Sequence, residues 1–171
     1  NTMNVTENAA TESFRATWES LKGTYELDGI KLLDTVLEGA VVDEATAINL
    51  SIIQANSDIL GAFGTTGNSP ITWSGAAEKA GYADGELVLV GMDATEGNLD
   101  ALEAGKVTAL VAQPLYEESY KTMEYLDTIF RGGEVPMWTD LVAPVVTADG
   151  EGQNGPAFHR DIAAQVAEFF G

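Results

Sequence analysis

The 171-residue chain contains no cysteine, only 8 Lys and Arg against 27 Asp and Glu, and a single histidine. Each shortage excludes something. Without cysteine there is no disulfide framework, no thiolate nucleophile and no Cys-based metal site. A net charge of −19 argues against nucleic acid, whose phosphates need a basic face. It also argues against anionic membrane surfaces. The one histidine, His159, stands beside Arg160 near the carboxyl end and has no Ser–Asp constellation around it, so no catalytic triad can be drawn. No apolar run reaches the length of a membrane span. No internal repeat, low-complexity tract or signal-like leader is seen. Asn1 is not a natural start, so the chain reads as processed, truncated or a fragment of something longer.

The residues present suit one α/β domain with a real core. Hydrophobic residues make up 45%, too many for disorder, and the length fits one domain. The acidic residues are spread along the chain, as on a solvated surface. Helix and strand alternate. Glu7 to Lys22 carries Phe14, Trp18 and Leu21 at helical spacing. Gly29 to Leu37 predicts a strand. Asp43 is placed to cap a helix reaching about Asn56. Ile59 to Thr65 predicts a second strand, Ile71 to Ala80 a helix stopped by Gly81, and Leu87 to Met92 a fully buried strand. Thr95 to Ala104 predicts a helix, Val107 to Ala112 a strand, and Leu115 to Arg131 a long helix with Tyr116, Tyr120, Met123, Leu126 and Phe130 on one stripe. A last strand is expected at Leu141 to Thr147. The glycine-rich stretch 148–155 reads as a linker. Pro156 opens a final helix with Phe158, Ile162, Val166 and Phe169 on one face. Such alternation predicts a three-layer Rossmann-like α/β sandwich with a mainly parallel sheet.

Two strands deliver a polar side chain at their carboxyl ends, Asp93 and Gln113, where open parallel sheets hold their ligands. With no nucleophile or metal set nearby, the pair suggests recognition of a polar small molecule rather than catalysis, and no cofactor is expected. A carboxylate accepts hydroxyl hydrogens, and a glutamine amide both donates and accepts. Asp93 can equally cap the helix that follows, and Gln113 can bond to hinge backbone. Thr66, Asn68 and Trp73 lie in or just after a loop at another strand end. An indole face near hydroxyl donors makes a sugar platform. Helix packing for Trp73 and a turn role for Asn68 are the alternatives. The GAFGTTG segment lacks both the GxGxxG and the GK[ST] pattern of phosphate loops. DGEGQNG lacks the spacing and terminal glutamate of a calcium loop, and no metal site is expected.

The ordered set TESFRATW, DEATAINLSIIQANSDILGAFGT, GAAEKAG, VLVGMD, ALEAGKVTALVAQ and PLYEESYKTMEYLDTIFRGGEVP resembles the carboxyl-terminal lobe of a type I periplasmic solute-binding protein of the ribose-binding-protein and LacI-like superfamily. The resemblance runs from about Val5 to Thr147. It implies one lobe of a clamshell that closes on a sugar or similar polar solute and delivers it, outside the cytoplasm, to an ABC permease. Asp93 and Gln113 match the family's ligand-contacting positions, and Asn8 is the nearest equivalent by spacing to an arginine that many members carry. Many members also carry Asn-Asp after the AFGT-like strand, where this chain has Thr65-Thr66-Gly67-Asn68.

On this resemblance residues 1–147 form the ligand-binding lobe, with helix 115–131 crossing to pack on an absent amino-terminal lobe. Residues 148–171 are a linker and an extra helix. The strand that precedes the first helix in the family, central in its sheet, is also missing from the chain. The unpaired backbone this would leave and the exposed Tyr116–Tyr120 stripe imply either a companion chain or self-association. A LacI-type or receptor sensor domain is the alternative assignment within the same fold.

Overall fold

The computed structural model describes residues 5–25, 27 and 29–170; the side chains of 5–7, 169 and 170 lie outside this description, Phe169 of the expected final stripe among them. Among the described residues there are six helices and four strands, alternating as expected from α2 onward. The helices are α1 (Val5–Leu21), α2 (Val42–Ala55), α3 (Ser69–Ala80), α4 (Glu96–Glu103), α5 (Leu115–Phe130) and α6 (Pro156–Phe170). The strands are β1 (Gly61–Phe63), β2 (Val88–Met92), β3 (Ala109–Val111) and β4 (Val145–Val146). They form one sheet in the order β1-β2-β3-β4. The first three are parallel and β4 runs antiparallel to β3. The result is the Rossmann-like α/β lobe that the sequence predicts.

Apolar alternation decides which face each element covers. Ala62 and Leu89 pack with Ile53 of α2 and Ala76 and Ala77 of α3 into one cluster. Leu99 and Leu102 of α4 join Leu110 and Val146 in a second. Phe63, next to Ala62 in β1, faces the other way and stacks on Phe14 of α1 at 4.7 Å between ring centroids. Helices therefore lie on both sides of the sheet. Small residues let α3 come close: a Cβ at Gly91 of β2 would stand 2.5 Å from Cγ of Pro70 in the first turn of α3.

Three expectations need correction. Gly29 to Leu37 is not a strand: residues 30–37 are irregular and join no ladder. Pairing needs an adjacent strand, and β1, with a partner only in β2, is the sheet edge. The segment is held instead by single contacts, such as the guanidinium of Arg15 donating to the Leu33 carbonyl at 2.9 Å. Asp43 does not cap α2. Val41 occupies that position, and Asp43 sits in the first turn, where its charge still complements the helix dipole. The stretch 148–155 is not an open linker. It folds through a single 3-10 turn at Gly152–Asn154, with Thr147 N–H donating to the Asn154 carbonyl at 3.0 Å and the Asn154 amide to the Val145 carbonyl at 2.7 Å. The helix beyond it docks on α4 through Arg160, whose guanidinium meets Asp100 at 2.8 Å, Glu103 at 2.7 Å and Glu96.

Overpacking at the Gly91 crossing is expected to be costly. Gly91→Ala should lower stability by about 2 kcal/mol, read as a lower urea midpoint at unchanged slope; an unchanged midpoint would show that α3 can retreat freely from the sheet.

Candidate functional site

The carboxyl ends of β1, β2 and β3 gather the polar residues. β2 ends at Met92, and Asp93 follows with φ 69°, the one non-glycine residue with positive φ among the described residues. Aspartate tolerates this left-handed conformation better than most side chains, at a cost of about 1–2 kcal/mol. Two backbone bonds hold it there. Its N–H donates to the Val111 carbonyl at 3.0 Å, and its carbonyl accepts from the Asn98 amide at 2.9 Å.

Gln113 lies between β3 and α5, before Pro114, where extended geometry is favoured. Its amide donates to Oδ1 of Asp93 at 2.5 Å. The two residues that the strand ends were expected to deliver are thus in direct contact. That bond leaves the rest of the Asp93 carboxylate as acceptor sites. Among the described residues Asp93 belongs to no ion pair, so no cation neutralises it.

The loop after β1 forms the adjacent side. A Cβ on Gly67 would stand 2.6 Å from Oδ2 of Asp93, so glycine lets the loop backbone pass directly against the carboxylate. Thr66 is half-buried and Asn68 exposed. Asn68 holds the position before α3 and makes no side-chain cap bond. Trp73 is half-buried against the Ile53, Ala76 and Leu89 cluster, which is the helix-packing role open to it from sequence. Asn8 is exposed in the first turn of α1, on a separate element from the cluster.

Two residues that the sequence pattern did not single out organise this site. Asn98, fully buried in α4, donates from one amide to the carbonyls of Gly67 (2.8 Å), Met92 (3.2 Å) and Asp93 (2.9 Å). Its Oδ1 is buried without a partner among the described residues. Glu38 approaches the loop from the far side and accepts from Thr66, Ser69, Thr72 and Asn49. In the sequence Asn98 is one polar residue among several at a helix start. Glu38 follows a segment that predicts a strand, so nothing local marks either. No cluster of His, Cys, Asp and Glu with metal-holding geometry occurs among the described residues, and no described helix is long and apolar enough to cross a membrane.

Comparison with known proteins identifies the family and the fold. The family model described as periplasmic binding protein domain matches residues 2–134, most of the chain, and the chain belongs to that family. Similar solved structures include a periplasmic ribose ABC transporter protein from Conexibacter woesei, at 22% identity and TM-score 0.66 over 85% of this chain and 47% of that one. An ABC transporter solute-binding protein from Agrobacterium vitis bound with α-D-tagatopyranose gives 22% identity and TM-score 0.64, covering 76% of this chain and 43% of that one. A second Agrobacterium vitis solute-binding protein, with bound D-fucose, gives 23% and 0.62, covering 70% and 41%. The chain spans less than half the length of these structures. At these identities they speak for the fold.

If Asn98 gathers the site as its bonds imply, Asn98→Ala should cost about 2 kcal/mol in urea unfolding. It should also raise amide exchange at Gly67 and Asp93 before it does so in α2. Unchanged exchange at those two residues would count against the role.

Proposed function

We propose that this member of the periplasmic binding protein domain family is one wall of a solute-binding site for a neutral, hydroxyl-rich small molecule such as a sugar. The single observation that carries the reading is the Asp93–Gln113 pair, where two adjacent parallel strands end. Asp93 has a left-handed backbone and no neutralising cation among the described residues. A carboxylate in that state favours hydroxyl donors and disfavours phosphates and carboxylates, whose like charge it would repel. The chain's net charge of −19 adds a field of the same sign. Asp93 accepts sugar hydroxyls, Gln113 orients it and offers its own amide oxygen, and Thr66 and Asn68 extend the wall along the neighbouring loop. Asn8 joins the set on the family resemblance alone, and Trp73 on its indole face as a sugar platform. Binding without catalysis, outside the cytoplasm, in the service of an ABC importer is the role in keeping with the family. The sugars named for the similar structures support that class of ligand.

The opposite wall of the cleft, on this reading, comes from a second lobe that meets α5 and the chain after it. No residue of α5 is buried. Tyr116, Tyr120, Met123, Ile129 and Phe130 are exposed, and Met137, Trp138 and Val142 beyond them are at least 80% exposed. So large an apolar surface is a surface awaiting cover.

Two measurements test these statements. Calorimetric titration with D-ribose, D-fucose and D-tagatose, in the longest natural polypeptide that carries the chain, should show one of them binding and its phosphorylated form failing to. Asp93→Asn keeps a residue that tolerates the left-handed backbone and should weaken binding by roughly 10- to 100-fold. Equal affinity in the variant, or preference for the phosphate, would sink the reading. For the α5 face, light scattering on residues 1–171 alone should give a mass above 18.1 kDa. The double substitution Tyr120→Lys and Phe130→Lys should return the monomer mass, whereas a wild-type monomer would argue that the face tolerates water.

A further inference from the structure

The hydrogen-bond set around Glu38 has a direction. Its Oε2 accepts from the Asn49 amide at 2.7 Å and the Thr72 hydroxyl at 3.0 Å. Its Oε1 accepts from Thr66 at 3.3 Å and from the hydroxyl of Ser69. Asn49, Ser69 and Thr72 are each at most 2% exposed, so these groups have no water to turn to. An ionised carboxylate only accepts, so a hydroxyl bonded to it directs its hydrogen to it or, as Thr72 can toward the Ser69 carbonyl, to another acceptor of the same cluster. Ser69 and Thr66 also lie 2.8 Å apart, oxygen to oxygen. Whether Thr66 donates to Glu38 or to Ser69, its hydrogen is spent inward. Its free lone pairs are then all that remains for a ligand.

We propose that Glu38 is a positioning residue of the ligand site: it fixes the loop of Thr66, Gly67 and Asn68 against Asp93 and sets the Thr66 hydroxyl as an acceptor. The proposal rests on the solute-binding reading above for its ligand, and on the bonding geometry for the rest. The loop is then held from two sides. Asn98 takes the Gly67 carbonyl from within the sheet end, and Glu38 takes the side chains from the α2 side. Thr66 and Asp93 together present acceptors only, so the matching solute offers two hydroxyl donors to this side of the cleft. The second amide hydrogen of Gln113 and the amide of Asn68 are left as the donors of this wall.

Two substitutions separate holding from polarity. Glu38→Ala removes the anchor. Glu38→Gln keeps its shape. With Asn49 donating as it does to Glu38, the new amide oxygen faces Asn49 and Thr72 and the new NH2 faces Ser69 and Thr66, which releases the Thr66 hydrogen. Hydrogen exchange of the 64–69 amides, read in the full chain without ligand, should rise at least tenfold in Glu38→Ala and stay near wild type in Glu38→Gln, with the β2 and β3 amides unchanged in both. Titration with D-ribose, D-fucose and D-tagatose should show affinity lower by about tenfold in both variants. No rise in loop exchange for Glu38→Ala, or an equal rise throughout the sheet, would overturn the positioning role. Wild-type affinity in Glu38→Gln would overturn the set direction of the Thr66 hydroxyl. If the unsubstituted protein binds none of the three sugars, the solute reading fails, and the exchange result still decides whether Glu38 holds the loop.

Discussion

One buried amide ties the carboxyl end of this sheet together. Asn98 donates to carbonyls from three places: the loop after β1, the last residue of β2, and Asp93 itself. Each of those carbonyls is at the end of regular structure, where no ladder or helix bond is available to it. Left unpaired and buried, each would cost on the order of 1–3 kcal/mol. The left-handed turn at Asp93 depends on this arrangement, because it swings the backbone out of the ladder and needs a new donor for its carbonyl. The position of Gln113 depends on it in turn, since its amide finds Asp93 only where Asn98 has fixed it. A single side chain at the third residue of α4 thereby sets the relative placement of two strand ends and a loop.

Glycine makes the same convergence sterically possible. Gly67 runs against the Asp93 carboxylate and Gly91 lies under Pro70 at the start of α3. The loop and the helix it feeds can close over the strand end only because neither position carries a side chain. The cost is backbone entropy at both sites, and the compensation is the dense polar bonding around the loop: Asn98 on one side, Glu38 on the other. Rigid placement of this kind suits recognition, where orienting a few hydrogen-bonding groups in advance reduces what must be ordered on binding.

Much of this was legible in the sequence, for identifiable reasons. The strand at Val88–Met92 and the helices starting near Pro70, Leu115 and Pro156 announce themselves through apolar runs, proline at a first turn and glycine at an end, all of which are local signals. Asp93 and Gln113 were legible as candidates because strand ends are where such folds present side chains, and their direct contact follows from the adjacency of β2 and β3. Glu38 and Asn98 were not legible, because their partners lie far away in sequence: Glu38 reaches across 34 positions to Thr72 and Asn98 across 31 to Gly67. The expected strand at 29–37 failed for the complementary reason. Its composition is right for a strand, but strand formation is a pairwise property, and among the described residues no strand pairs with it.

That same failure bears on how the molecule is assembled. Segment 30–37 leads into Glu38, and Glu38 accepts from Thr66 and Ser69 of the loop after β1, so whatever orders the segment also steadies the loop. In the present arrangement the segment is tethered by Arg15 to α1, and α1 touches the sheet through Phe14 on Phe63 of β1. A strand laid along the free edge of β1 would meet unused backbone donors and acceptors there and would bring the segment within reach of a ladder. Order would then pass from the sheet edge through the segment to Glu38 and on to Thr66. Segment 30–37 and the loop of Thr66 to Ser69 are therefore joined through Glu38, the single residue between Leu37 and Gly39.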